Sequence, residues 1–127
     1  MEETTNPLRV ALVEDDPRLQ QLISAEIVDE GHECLCFSSS EAFLDVVNHH
    51  RFHLVLLDLM LPGMDGLECL RKLISHRKSF DLPRVVIVTA LNDAEKRREA
   101  LSIGAEDYVL KPDLFERLPL LLTQRQA

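Results

Sequence analysis

His53-Leu54-Val55-Leu56-Leu57-Asp58 is an apolar run that ends on a carboxylate, and Leu61-Pro62-Gly63-Met64-Asp65-Gly66 follows it with a turn signal. Leu and Val in unbroken succession read as a strand buried on both faces. An ionisable group released at the tip of such a strand is badly placed for stability and well placed for chemistry. Three other runs end in the same manner. Leu8 to Val13 leads into Glu14-Asp15-Asp16, Arg84 to Val88 into Thr89, and Asp107 to Leu110 into Lys111-Pro112. If these strands are parallel neighbours, an acidic pair, a lone Asp, a hydroxyl and a Lys meet at one edge of the sheet.

The segments between them carry helical spacing. Asp16 as N-cap and Pro17 at the first helical position open a stretch to about Glu30, with Leu19, Leu22, Ile23 and Ile27 on one stripe and Gly31 as its stop. Cys34 to Phe37 reads as a further strand, and Ser40 is expected to cap a helix through Ala42, Phe43, Val46 and Val47. A helix from about Gly66, with Asp65 as turn or capping residue, carries Leu67, Leu70, Leu73 and Ile74. Another runs from about Asn92 to Ile103 and stops at Gly104. A short apolar helix follows Lys111-Pro112. Pro119 lies inside it, and a proline there costs about 3 kcal/mol. The helix is therefore expected either to begin near Leu118, after a separate turn over Asp113 to Arg117, or to kink. Five βα units predict a doubly wound parallel sheet with helices on both faces. Ligands then bind outside the carboxyl ends of the strands, at the topological switch point.

At 127 residues the chain is read as one domain over 1–127, with 1–7 expected to be flexible and 8–123 to form the core. A net charge of -8 argues against nonspecific binding to nucleic acid or to an anionic membrane. No apolar run approaches the roughly 20 residues of a membrane span. Met1 to Pro7 is polar and acidic, unlike a secretory signal. The three cysteines, an odd number, read as reduced thiols in a cytoplasm. Cys34 and Cys36 are expected to face one layer of the core, and Cys69 to be structural. His49, His50 and His53 read as surface residues, and Lys96-Arg97-Arg98 as a solvated helix face.

Glu14, Asp15 and Asp58 in one crevice repel one another and call for a cation. Oxygen ligands alone select a hard ion, and Mg²⁺ suits partial protein coordination with retained waters. Asp15 is the more direct ligand, while the longer Glu14 reaches through water. Lys111 and Thr89 supply a point charge and a hydroxyl for a transferring phosphoryl group. Asp58 is the candidate nucleophile, forming a mixed anhydride. It is already ionised at neutral pH, so it needs no general base.

Taken together, these residues resemble the receiver domain of bacterial response regulators over essentially the whole chain. The acidic pair matches Glu14-Asp15, the phospho-acceptor Asp58, the switch hydroxyl Thr89 in Val88-Thr89-Ala90, and the Lys-Pro pair Lys111-Pro112. The resemblance implies a flavodoxin-like five-stranded sheet of order 2-1-3-4-5. It implies Mg²⁺ held by Glu14, Asp15, Asp58 and the backbone carbonyl of Met60, and an aromatic switch at Tyr108. It implies a phosphoryl donor that is a sensor histidine kinase or a histidine phosphotransfer protein, together with an output domain or effector and a phosphorylation-linked homodimer. Without the resemblance, Tyr108 reads equally as a half-buried core aromatic with its hydroxyl in water. Met60 and Leu91, both bulky and apolar, stand where the family sets the rate of water attack, so slow self-dephosphorylation is expected. Two alternatives are weighed. A Mg²⁺-dependent aspartyl-intermediate phosphatase typically carries a second Asp where Met60 stands, and a cap insertion absent from this sequence. A phosphorylation-independent interaction module has no use for an intact Asp58, Glu14, Asp15, Thr89 and Lys111 set.

Overall fold

Alternating helical and extended spacing produces ten regular elements in a computed structural model that describes residues 7–75 and 82–123. Strand β1 (Arg9–Val13) leads to α1 (Pro17–Asp29), β2 (Glu33–Phe37) to α2 (Ser40–Val46), and β3 (Leu54–Leu57) to α3 (Gly66–Ser75). Then β4 (Arg84–Thr89) leads to α4 (Ala94–Ile103), and β5 (Asp107–Leu110) to α5 (Leu114–Thr123). Residues 1–6 of the segment expected to be flexible lie outside the described residues.

The five strands pair in parallel in the order β2-β1-β3-β4-β5, as expected. In register, Val13 stands beside Leu57, Leu57 beside Ile87, and Thr89 beside Leu110, which brings the strand ends to one edge. Alternation along each strand divides the core. Val13, Leu57 and Ile87 face α2, α3 and α4, packing with Phe43, Leu70 and Ala100. Leu12, Leu56 and Val88 face α1 and α5, packing with Ile27 and Leu118. Both faces of the central strands are buried, which accounts for their unbroken apolar sequence.

Local chemistry sets the helix starts. Asp16 caps α1, its Oδ1 accepting from the Arg18 N–H at 2.9 Å. Ser39, not Ser40, caps α2: its Oγ accepts from the Ala42 N–H at 3.1 Å, while Ser40 is the first helical residue and is buried. Of two adjacent serines, the extended backbone at Ser39 aims its hydroxyl back at the helix end. Asp93 takes the N–H groups of Glu95 and Lys96, so α4 begins at Ala94 rather than Asn92.

Pro119 neither delays nor divides α5, which runs from Leu114 to Thr123 with the proline inside. A 3₁₀ turn over Lys111–Asp113 leads into it. Pro119 has no N–H to give the Phe115 carbonyl, a loss of about 3 kcal/mol. Leu114, Leu118, Leu121 and Leu122 are all buried on the inner stripe. At about 1.5–3 kcal/mol each, their burial outweighs the missing bond.

Cys36 corrects the expectation of a core position: it is exposed and Cys34 half-buried. They share one face of β2, but β2 is an edge strand, and helical cover there is incomplete. Burial pushes the Cys34 thiol up to about 12, with Cys36 beside it adding to the shift. Burial pushes the Cys69 thiol up to about 11. At the amino-terminal end of an inner strand, Arg84 opens β4 and is 7 % exposed. Its Nε and Nη2 pair with the two Glu106 oxygens at 2.7 and 3.0 Å, and its Nη1 donates to the Leu121 carbonyl at 3.0 Å.

Candidate functional site

Hydrogen bonds continue past the ends of β1 and β3 and fix the two carboxylates there. The Glu14 N–H donates to the Phe37 carbonyl at 2.9 Å, and the Asp58 N–H to the Val13 carbonyl at 3.1 Å. Glu14 is 2 % exposed and Asp58 3 % exposed, whereas Asp15 faces solvent. Strand alternation thus gives the two members of the acidic pair different surroundings, as expected. One oxygen from each of Glu14, Asp15 and Asp58 lies within 4.8 Å of the others.

Lys111 closes this group from the end of β5. Its Nζ stands 2.9 Å from Glu14 Oε1 and 2.9 Å from Asp58 Oδ2. The remaining oxygens are also engaged. Glu14 Oε2 accepts from the Asp16 N–H at 3.0 Å, and Asp58 Oδ1 from the Met60 N–H at 3.1 Å. Partial burial pulls the Lys111 pKa down, but the hydrogen bonds and charges of Glu14 and Asp58 outweigh it and leave it raised. The ammonium is therefore held protonated between two buried anions. One ammonium against three carboxylates leaves the crevice net negative. Its donors are hard oxygens, so the site fits a hard divalent cation.

The loop after Asp58 is packed against its own base. Leu61 and Gly66 both donate their N–H groups to the Leu59 carbonyl, at 3.2 and 3.0 Å. A Cβ on Gly66 would stand 2.2 Å from the Asp58 carbonyl oxygen and 2.8 Å from Leu59 Cα. Helix α3 comes this close to Asp58 because residue 66 has no side chain. Asp65 caps α3, its Oδ1 accepting from the Glu68 N–H at 2.9 Å.

Thr89 is fully buried at the tip of β4, and its Oγ1 accepts from the Leu91 N–H at 3.2 Å. Tyr108 is buried rather than half-buried, and its hydroxyl has a backbone partner. It is 5 % exposed, and the hydroxyl donates to the Leu91 carbonyl at 2.5 Å. Burial and the Asp93 carboxylate raise its pKa above the ordinary tyrosine value. Leu91 is thus bonded through its N–H to Thr89 and through its carbonyl to Tyr108. Arg97 is exposed, as the solvated-face reading expects, and also donates from Nη1 to the Tyr108 carbonyl at 3.1 Å. Met60 and Leu91, with Leu59, Leu61 and Leu67, line an apolar cavity of about 450 Å³. Asp65 and Lys96 also line it.

His50 and His53 stand apart from these groups. His53 is exposed, with Nδ1 accepting from the Arg9 N–H at 2.9 Å where β1 begins. His50 is half-buried against the Phe52 ring at 5.5 Å, which corrects its reading as a plain surface residue. Glu41, on α2, escaped the sequence. Its Oε2 accepts from the Met64 N–H at 3.1 Å, a contact across 23 residues that no local pattern announces.

Residues 10–122 match the response regulator receiver domain family. The two-component response regulator PhoP of Pseudomonas aeruginosa is 35 % identical over 111 residues, covering 87 % of this chain and 48 % of that protein. The chain spans about a quarter to about half of the curated relatives it matches, from 24 % to 51 % of their lengths. A BeF3-activated receiver domain of Klebsiella pneumoniae RstA superposes with a TM-score of 0.78 at 32 % identity, over 91 % of this chain and 99 % of that one. A CheY-like receiver domain from Methanospirillum hungatei gives 0.81 at 27 % identity, over 92 % and 94 %. With the strand order, the acidic crevice and the matched span in agreement, the chain belongs to the response regulator receiver domains, the phospho-accepting switches of two-component signalling.

Proposed function

We propose that Asp58 accepts a phosphoryl group from a phosphohistidine on a sensor histidine kinase or histidine phosphotransfer protein. A carboxylate oxygen of Asp58 attacks phosphorus, the P–N bond breaks, and its electron pair stays on the imidazole, which leaves neutral once it binds a proton. The product is an acyl phosphate. Glu14, Asp15, Asp58 and the Met60 carbonyl would hold Mg²⁺, which when bound neutralises phosphoryl oxygens and orients them for in-line transfer. Lys111 holds the Asp58 carboxylate and offers its charge to the incoming phosphoryl oxygens. The Met60 N–H fixes the other Asp58 oxygen. The observation that carries this reading is Lys111 at 2.9 Å from both Glu14 and Asp58, beside an exposed Asp15.

Phosphorylation adds about -1.5 to -2 charge at the site. Thr89 is buried next to Leu91, and turning its hydroxyl toward the new oxygens gives up the Leu91 N–H. The carbonyl of the same residue accepts from the Tyr108 hydroxyl, so the change passes to the face of α4, β5 and α5. A cavity of about 310 Å³ opens on that face between Asn92, Arg97, Tyr108 and Arg117. This is the surface for an effector, an output domain or a phosphorylation-linked second copy. A cytoplasmic place of action goes with the proposed kinase partner; separately, no helix among the described residues is long and apolar enough to cross a membrane.

Intact mass after incubation with acetyl phosphate tests the reading, with and without Mg²⁺, for the wild-type chain and Asp58→Ala. One metal-dependent phosphoryl adduct, missing in the variant, is expected. A folded wild-type chain without an adduct would leave the phosphorylation-independent module as the better account.

A further inference from the structure

We infer that Glu41 is a positioning residue for the phosphoryl site, strapping the loop after Asp58 to α2; this rests on the reading of Asp58 as phospho-acceptor. The loop Leu59–Gly66 is closed at its base by the N–H groups of Leu61 and Gly66, both bonded to the Leu59 carbonyl. Its crest is held from outside. Glu41 Oε2 takes the Met64 N–H at 3.1 Å, and the same carboxylate lies over Gly63. A Cβ on Gly63 would come within 2.9 Å of Oε2, and the backbone there has φ +75. The crest is therefore shaped to let a carboxylate approach its backbone.

The other end of the strap is rigid. Ser39 caps the first turn of α2, and Phe43, two residues past Glu41, is fully buried. The Phe43 ring meets Phe37 at 5.6 Å and Phe52 at 6.0 Å. Phe37 in turn accepts the Glu14 N–H. A closed circuit results, running from Asp58 through its loop to Glu41, through α2 and the aromatic rings to Phe37, and back to Glu14. Glu41 fixes one side of the crevice relative to the other, which is the relation that a shared cation and an in-line donor depend on.

Glu41 also brings a negative charge to the loop, so geometry and charge must be separated. Glu41→Gln keeps an acceptor oxygen without the charge, and Glu41→Ala removes both. The measurements are hydrogen exchange of the peptide spanning 59–66 and the Mg²⁺ dependence of phosphorylation by acetyl phosphate. Glu41→Ala is expected to speed exchange in that peptide and to raise the half-saturating Mg²⁺ concentration about tenfold. Glu41→Gln is expected to stay close to wild type in both. Unchanged Mg²⁺ dependence in Glu41→Ala, with wild type phosphorylated normally, overturns this inference alone. A Glu41→Gln variant as impaired as Glu41→Ala overturns it too, by showing that charge is what matters. A wild-type chain that takes no phosphoryl group removes the site reading itself.

Discussion

Gly66→Ala adds one methyl group where α3 meets Asp58, the proposed phospho-acceptor. Its Cβ would stand 2.2 Å from the Asp58 carbonyl oxygen, and ordinary contact begins near 3.4 Å, so more than an ångström must be found. The opposing atoms are backbone, including Leu59 Cα at 2.8 Å, and cannot rotate aside. Overpacking typically costs about 1–3 kcal/mol, and a clash with backbone on both sides belongs at the upper end, about 3 kcal/mol. For a domain of this size that is a fall of roughly 10 °C in Tm. Gly31→Ala is the control. Nothing lies within 4 Å of its Cβ, and it bears only the strain of φ +91, about 1 kcal/mol. Chemistry should suffer as well, because the residue pushed aside is Asp58 itself. A displacement of about 1 Å there is expected to slow phosphorylation by acetyl phosphate about 100-fold. Thermal unfolding and time-resolved intact mass measure both effects. A Gly66→Ala chain as stable as Gly31→Ala and phosphorylated at the wild-type rate would refute the close approach.

Other consequences are open to simple assays. Met60→Asn combined with Leu91→Glu replaces two apolar residues beside the site with groups able to orient water; the acyl phosphate lifetime is expected to shorten about tenfold, and equal lifetimes would remove their shielding role. An aromatic disulfide reagent near pH 8 should find one fast thiol, the exposed Cys36, while Cys34 and Cys69 react on unfolding; three fast thiols would contradict their burial. Lys111 has a raised folded pKa, so its stabilisation is fully present below 10.5 and is lost as pH rises through the folded value. The stability gap between wild type and Lys111→Met should therefore hold at neutral pH and close above 10.5, and a gap that persists there would show that the ion pairs contribute little.

The sequence was most legible where one residue type has one use. Unbroken Val and Leu runs in β3 and β4 announced strands buried on both faces, and their polar ends announced the crevice. Asp16-Pro17 marked the start of α1 because both the cap and the proline favour that position. Legibility failed where long-range packing decides between local options. Pro119 alone argues for a broken helix, but four leucines on one buried stripe hold the helix together around it. Ser39 and Ser40 are chemically equivalent caps, and backbone conformation chose between them. Cys34 and Cys36 looked alike until β2 proved to be an edge strand. Tyr108 and Glu41 are bonded to backbone groups 17 and 23 residues away, a distance no spacing rule covers.

Strand β4 has Thr89 at one tip and Arg84 at the other. Arg84 grips Glu106 ahead of β5 and the Leu121 carbonyl in the last turn of α5. The strand is thus pinned at its base to the helix through which the described chain departs. On the proposed switch, such a pin makes the base a fulcrum: a change begun at Thr89 would pass sideways to Leu91 and Tyr108 instead of sliding the whole strand. For anyone attaching a fluorescent reporter, the two ends of this strand then differ in kind. A probe on α4 would report the proposed switch, while one beside Arg84 at the base of the strand would serve as the internal reference.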